Sequence, residues 1–565
     1  MANANAGAAT KVRKAGLFAT LLWCSILSVS ACNGCRGTAA PEGPAANAKQ
    51  ELATLRVVAI SNLAGALEPC GCTKNQLGGI DHLAAFVAQN GSAASASLVV
   101  SAGPAMFLDP TKDPARATQD LWKGEAISAS LGEMGLAAFT PGYNDWSFGH
   151  ESLAALTHGT RASLLAANLA PVDGATKTAQ REVGGVRVGL LGVAAPEVDG
   201  APPAGVEIGD PVAAARASLD ELRRGGAKVL VGLCALARGQ ALRLAEALPE
   251  LSLLVVGKPA EAGEGNDAPS APALIGGVLV VEASNHLQTV AVVDFFVRGG
   301  DFHFQDASGI ESADAVTSIE RRVHDLEARL ADWEKDPSVR PEDLAARRRD
   351  LDKLRDERRR LSDRPIPKTG SFFRYSLVEV REKLGSDPKV QERMAAYYRR
   401  VNDHNRTALA GRKPPAPRPG ESGYAGVEVC SSCHEEARKV WDRTAHAGAY
   451  LTLAKQFKEY NLECVGCHVT GYEKPGGSTV TVNESLRDVQ CEACHGPGQA
   501  HAAAPEKKGL LAREPRPELC TTSCHHPPHV EGFDVERAKP LVLGPGHGMP
   551  VDAPWPAWAS SGRDR

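Results

Sequence analysis

Near the C-terminal end, three stretches place two cysteines three residues apart with a histidine directly behind. They are Cys430-Ser-Ser-Cys433-His434, Cys464-Val-Gly-Cys467-His468 and Cys491-Glu-Ala-Cys494-His495. A fourth, Cys520-Thr-Thr-Ser-Cys524-His525, has one residue more. Thiols at this spacing reach the two vinyl groups of a haem and form thioethers; the next residue, an imidazole, then lies under the iron as proximal ligand. Zinc competes for paired cysteines, but zinc ribbons do not require a histidine behind each second cysteine. The expected cofactor is c-type haem, four in number. The fourth site needs a bulged loop to keep both bonds, and its alternative is an unliganded pair or a disulfide.

A different cysteine pair stands in Glu68-Pro69-Cys70-Gly71-Cys72, followed by Gln76-Leu-Gly-Gly79. Cysteines one residue apart can close a strained disulfide or ligate a metal. Strained, exposed disulfides are the labile ones, so Cys70 and Cys72 are a candidate redox pair, with a purely structural pair as the alternative. Cys234 lies in an apolar run and is expected as a core thiol. At the N-terminus, Lys11, Arg13 and Lys14 precede the apolar run Leu17–Val29, the pattern of an export signal. Val29-Ser30-Ala31-Cys32 resembles a bacterial lipobox, which implies acylation of Cys32 and a lipid anchor. Asn33 behind it implies, by the same resemblance, the periplasmic face of the outer membrane. The alternative is an ordinary signal peptide with Cys32 incidental.

These groups need a scaffold, and 565 residues suffice for several domains. Lys and Arg number 63 against 67 Asp and Glu, so there is no basic footprint for nucleic acid. A single apolar stretch approaches spanning length, which excludes a polytopic membrane protein. Behind the signal (1–31) and a tether (32–54), residues 55–310 alternate short β-branched runs with helical stretches, the pattern of a layered α/β domain. The expected strands are Leu55–Ile60, Leu98–Ser101, Leu164–Leu169, Val186–Val193, Val229–Leu233, Leu251–Val256, Val278–Val281 and Val290–Val297. Over 311–363, Val316, Ile319, Val323, Leu326, Leu330 and Trp333 form a heptad seam, answered by Leu344, Leu351, Leu354 and Leu361. This predicts a helical hairpin acting as a spacer rather than a dimerisation coiled coil. Residues 364–420, with a strand at Phe372–Val380, an amphipathic helix at Val390–His404 and a Pro-rich end, read as a connecting segment. A mainly α, irregular haem domain is expected over 421–548, and a disordered tail over 549–565.

The haem region resembles the cytochrome c-554/c-prime family of multihaem electron carriers. The resemblance includes residues between the attachment sites: Tyr424-Ala-Gly, Trp441, His446, Tyr450, Cys467-His468-Val-Thr-Gly-Tyr472 and Cys494-His495-Gly-Pro-Gly with His501. It implies closely packed haems, with His434, His468, His495 and His525 as proximal iron ligands. His446, His501 and His547 are the implied distal ligands, with surface histidines as the alternative. His526 and His529 are the poorer candidates, and three distal histidines for four haems would leave one haem five-coordinate.

Residues 55–300 resemble the calcineurin-like metallophosphatases, specifically the periplasmic 5′-nucleotidases. The strand-then-turn order of Ser61-Asn62-Leu-Ala64-Gly65, Gly103-Pro104, Gly142-Tyr143-Asn144-Asp145 and Gly257-Lys258-Pro259-Ala260 agrees with that family's metal blocks. The ligands do not agree: Asn62, Ala64, Pro104, Asn144 and Ala260 replace the metal-binding side chains that two-metal hydrolysis requires. Asp145, Trp146 and His150 are candidates to line the same opening, with ordinary loop residues as the alternative. The expected function is an exported, lipid-anchored multihaem cytochrome carrying electrons between envelope redox proteins. Two other readings stay open: a redox enzyme using Cys70 and Cys72, and a phosphoester hydrolase.

Overall fold

The computed structural model describes residues 51–70, 76–90, 94–196, 202–258, 265–334, 339–362, 366–526, 529–530 and 532–560. The signal, residues 32–50 of the tether with Cys32, and Cys72 and Ala260 lie outside them. From Leu52 onward the chain forms one unit.

Val, Leu and Ala alternate along Leu55–Ser61, so successive side chains face opposite ways and both faces of the strand can be buried. Leu55, Val57 and Ala59 enter a core between two sheets, whereas Val58 and Ile60 face helices. The first sheet has eight strands in the order Phe304–Asp306, Ser371–Glu379, Thr289–Phe296, Leu55–Ser61, Ser97–Ala102, Leu136–Thr140, Ser163–Leu165 and Ala175–Thr176. The second has six: Ser270–Ile275, Val278–Glu282, Leu253–Gly257, Val229–Ala235, Val186–Ala194 and Thr178–Val183. Their inner faces meet through Val57, Val100, Val188, Val231, Val255 and Val281, among others.

Helices α1 (Ile80–Gln89), α2 (Ala117–Glu133) and α3 (Gly149–Thr160) cover the outer face of the first sheet. Helices α4 (Pro211–Arg224) and α5 (Arg238–Ala247) cover the second. The result is a four-layer α/β sandwich with parallel centres, since parallel strands need helical crossovers. Cys234 is fully buried in the second helix–sheet layer, and burial raises its thiol pKa strongly. The run expected as one strand over Leu164–Leu169 is broken: Ser163–Leu165 joins the first sheet, and Leu169–Ala170 pairs instead with Glu207–Ile208.

Helices α6 (Ala313–Trp333) and α7 (Pro341–Ser362) form the hairpin, with Ile319, Val323, Leu330 and Leu351 buried between them. Arg355–Glu327 and Arg348–Glu334, each at 2.7 Å, bridge the two helices. Residues 364–420 do more than connect. Ser371–Glu379 pairs antiparallel with Thr289–Phe296 over eight registered residues, within the first sheet. Helix α8 (Pro388–Ala408) is capped by Asp387, whose carboxylate accepts from the Lys389 and Val390 amides, and it buries Val390, Met394, Tyr397, Tyr398 and Val401. Those side chains join the same apolar cluster as α1–α3. The α/β body therefore continues past residue 310, and the hairpin is an insertion in it.

The last region consists of short helical turns joined by irregular chain, with a small apolar cluster of Tyr450, Val465, Val469 and Val480. Within residues 549–560 the tail is packed where disorder was expected: the Arg443 guanidinium lies 4.1 Å from the Trp555 ring centre and donates to the Ala559 carbonyl at 3.1 Å. No helix among the described residues is long and apolar enough to cross a membrane.

Candidate haem sites

Each attachment motif closes a tight turn. The His434 amide donates to the Cys430 carbonyl at 3.0 Å, an i, i+4 bond that brings the ring one helical turn behind the first thiol. In the fourth motif the His525 amide donates to the Cys520 carbonyl at 2.8 Å, an i, i+5 bond. The additional residue is thus absorbed by a wider, π-type turn, and the histidine is still delivered behind the cysteines.

Three of the motif histidines face a second imidazole. The ring centres of His434 and His501 are 6.4 Å apart, those of His525 and His446 6.4 Å, and those of His495 and His547 6.1 Å. An iron between two imidazoles at metal–nitrogen distances of about 2 Å separates the ring centres by about 6 Å, so these pairs fit bis-histidine haem ligation. Backbone carbonyls set the tautomers: Nδ1–H of His468 donates to Ala449 at 2.6 Å, that of His495 to Ala512 at 2.6 Å and that of His547 to Val542 at 2.9 Å. Each Nε2 is then left with the lone pair a metal requires. Burial lowers the pKa of His446, His468 and His525, favouring the neutral, ligating form. Bound through these thioethers, c-type haem would supply a one-electron iron centre at each site.

The four motifs also lie against one another. The Cys430 side chain lies within electrostatic reach of Cys491, that of Cys467 within reach of Cys524, and that of Cys494 within reach of Cys520. Their mutual influence raises the thiol pKa of Cys430 and Cys524 and lowers that of Cys491 and Cys467. The spatial order is therefore first, third, fourth, second. Cys433 is exposed at the first site, and Cys464 is half-buried at the second. Glu492, between the cysteines of the third motif, is buried and accepts from the amides of Ala425, Gly426 and Gly498 at 2.8, 2.8 and 2.6 Å. It ties the start of the region to the Gly-Pro-Gly turn.

The second motif rests on the α/β body. Gln119 of α2 donates to Asn461 Oδ1 at 3.1 Å and accepts from the Leu462 amide at 3.1 Å and from Asn405 of α8 at 3.2 Å. Lys123 donates to both carboxylate oxygens of Glu463 at 3.0 Å, next to Cys464. Burial alone would raise Glu463 and lower Lys123, but their mutual attraction outweighs it and moves both the other way. Lys458 is bonded to Glu68, two residues before Cys70. The backbone of Cys70 lies in the short strand Pro69–Cys70, paired with Leu77–Gly78. Sequence reasoning did not single out this interface. Its one signal was the polar pair Gln119 and Lys123 at i, i+4, in register with the buried Ile127 on α2.

At the C-terminal ends of the parallel strands, the blocks expected to converge do converge. The Asn62 amide donates to the Ala102 carbonyl at 3.0 Å, Ala64 to Pro104 at 2.8 Å and Gly103 to Thr140 at 3.1 Å. Gly103 has φ +85°, and a Cβ there would collide with Asn62 Oδ1. Asp145 does not line an opening. It is fully buried, and its carboxylate accepts from the amides of Ala105 at 3.0 Å, Met106 at 2.8 Å and Gly142 at 3.0 Å. Burial lifts its pKa to about 6 against the opposing pull of those bonds. Trp146 is buried and stacks edge-on with His150, which bonds the Ala204 carbonyl at 2.9 Å. Among the described residues, no group of three or more His, Cys, Asp or Glu is arranged to hold a metal ion.

A two-sheet α/β body joined to a region of clustered haem-attachment motifs defines the class. Residues 429–496 match the family described as Cytochrome c554 and c-prime. Cytochrome c-554 of Nitrosomonas europaea is 37% identical over 105 residues, which cover 16% of this chain and 45% of that protein. The matched region is thus similar to a c-type cytochrome, a likeness that implies c-type haem, and this chain spans less than half the length of that relative. Among solved structures, the 5′-nucleotidase precursor from Thermus thermophilus superposes with a TM-score of 0.42 at 16% identity, covering 80% of this chain and 73% of that one. The calcineurin-like phosphoesterase YfkN from Bacillus subtilis does so with a TM-score of 0.35 at 17% identity, covering 44% of this chain and 86% of that one.

Proposed function

We propose that this protein is an exported, lipid-anchored multihaem cytochrome that carries electrons between redox proteins at the periplasmic face of the outer membrane. The observation that carries this reading is the unbroken row of four attachment sites, ending with the second motif against α2 and α8. Four c-type haems are expected, and the wide turn at Cys520 to Cys524 supports the fourth. The α/β body acts as a docking scaffold for that row rather than as a two-metal hydrolase. Asn62, Ala64, Pro104 and Asn144 offer no imidazole or carboxylate, and the Asp145 carboxylate is occupied by backbone amides. A second reading, a thiol couple at Cys70 and Cys72 exchanging electrons with the haems, draws support from the Lys458–Glu68 bond, which brings that strand beside the second site.

The test is the intact mass of the full, matured protein together with its reduction by a donor cytochrome. A mass increment of four haems, all reducible by the donor, supports the reading. Fewer than three haems, or manganese- or zinc-dependent nucleotide hydrolysis abolished by a chelator, overturns it. Cys32→Ser should release the protein from the membrane fraction.

A further inference from the structure

We propose that Asp120 is the proton-binding residue of the second haem site: it takes up one solvent proton at Oδ1 as one electron arrives there from a donor redox protein. The proposal rests on the haem reading above. Between α2 and the second motif lies a cavity of about 20 Å³, room for a single water, lined by Asp109, Arg116, Asp120, Lys123, Phe148 and Glu463 among others. Around it the carboxylates of Asp109, Asp113, Asp120 and Glu463 share the cations Arg116 and Lys123. Lys123 is engaged by Glu463 at 3.0 Å. Arg116 is divided: its Nη2 lies 2.8 Å from Asp109, and its Nε 3.4 Å from Asp113 and 3.7 Å from Asp120. Asp120 holds the longest of these contacts. Its Oδ1 is buried with no hydrogen-bond partner, as is the Arg116 Nε. A sequestered carboxylate whose neighbouring cations are held closer by other acids is stabilised by a proton.

The groups facing Asp120 come from several elements. Arg116 and Lys123 lie about one turn away on α2 itself, Asp109 on the loop before it, Glu463 in the haem region, and Tyr397, its hydroxyl buried without a hydrogen-bond partner, on α8. Burial, Glu463 and Asp109 favour the acid, Arg116 and Lys123 oppose it, and the balance sets its pKa at about 6. Glu463 is peptide-bonded to Cys464, the first attachment cysteine of the second motif, and its carboxylate shares the cavity with Asp120. An electron added at that site makes the surroundings of Asp120 more negative in a region where charges are weakly screened, and so raises its proton affinity. The proton forms an O–H bond at Oδ1 and cancels the added charge. The coupling is reciprocal, so a protonated Asp120 favours the reduced state. A unit charge acting over about 12–20 Å at an effective dielectric constant of about 20 changes a proton affinity roughly fourfold to tenfold, and that is the expected size of the coupling.

The test is a potentiometric titration of the full-length protein, followed by haem absorption at a series of pH values, after the haem number has been fixed by mass. Wild type should contain a haem whose midpoint potential falls as pH rises through about 6 to 7 and is level on either side, with net proton uptake on reduction in that range. Its reduced-minus-oxidised infrared difference spectrum should gain a protonated-carboxyl band that shifts in deuterium oxide. Asp120→Asn, a neutral isostere, should hold that haem near its wild-type low-pH potential at every pH and remove the band. Glu463→Gln should move the fall to lower pH, because it removes a neighbouring negative charge and frees Lys123 to face Asp120. Glu125→Gln, which alters an exposed carboxylate of the same helix, should leave the fall in place. Haems whose potentials are all independent of pH, or a fall of unchanged size in Asp120→Asn, overturn the assignment to Asp120 and leave the electron-carrier reading intact. Fewer than three haems by mass, or haems that the donor does not reduce, overturn the underlying reading and this proposal with it.

Discussion

Removing the Lys123 ammonium tests whether the haem row is held to the α/β body by a buried charge pair. The two side chains are only 15% and 17% exposed, with the ammonium 3.0 Å from the carboxylate. At an effective dielectric constant of about 20, that separation corresponds to an attraction of about 5 kcal/mol, most of it offset by the cost of taking both charges out of water. Breaking such a pair from one side is costlier than its net worth, because the remaining charge stays buried; fully buried pairs lose about 3–5 kcal/mol. Glu463 would be left beside Asp120, which repels it, but also near Arg116, which attracts it. The expected loss for Lys123→Met is therefore toward the lower limit, about 3 kcal/mol. In a body of this size that corresponds to a fall in Tm of roughly 5 °C. The assay is thermal unfolding followed both by far-ultraviolet circular dichroism and by the haem absorption band. Lys123→Met/Glu463→Gln should recover most of the loss, giving a coupling of about 2 kcal/mol between the two sites. Additivity to within about 0.5 kcal/mol, or a Lys123→Met protein that melts with wild type, would refute the interface as drawn.

Asp120 supplies a pH test. Burial, reinforced by Glu463, raises its folded pKa to about 6, above the unfolded value near 4. Between those values the folded state holds a proton the unfolded state has lost, so this group's contribution falls as pH rises from about 4 to 6. Asp120→Asn should flatten that fall in urea titrations and stabilise the protein at pH 7 by about 1–3 kcal/mol. His501→Ala, His446→Ala and His547→Ala should each turn a different single haem high-spin in electron paramagnetic resonance without loss of haem mass, since each removes a distal ring and leaves the thioethers. Asp145→Ala should cost about 3 kcal/mol in urea denaturation and lower expression of soluble protein, because three buried amides lose their acceptor.

The local chemistry of this protein was legible from its chain. A Cys-x-x-Cys-His unit is complete within five residues, so no distant contact is needed to recognise it. The strands Leu55–Ser61 and Val229–Ala235 were likewise readable as short, nearly continuous apolar runs that bury both faces, and the seam of Ile319, Val323 and Leu330 as a helical spacing that buries one. Other features depended on the tertiary structure. Residue spacing cannot say that His434 faces His501 while His525 faces His446, a residue 79 positions earlier, because ring pairing is decided by how irregular turns pack. Likewise, Ser371–Glu379 could not be assigned to the first sheet across an intervening hairpin, since strand pairing is non-local. Asp145 looked like a group at an opening because loops often carry function, yet folding directed it inward to satisfy amides that would otherwise be stranded. Contact between the second haem site and α2 came last in this order: it depends on a few polar side chains, Gln119, Lys123, Asn461 and Glu463, whose partners lie more than 300 residues away and become neighbours only when the helical layer and the haem region are packed together.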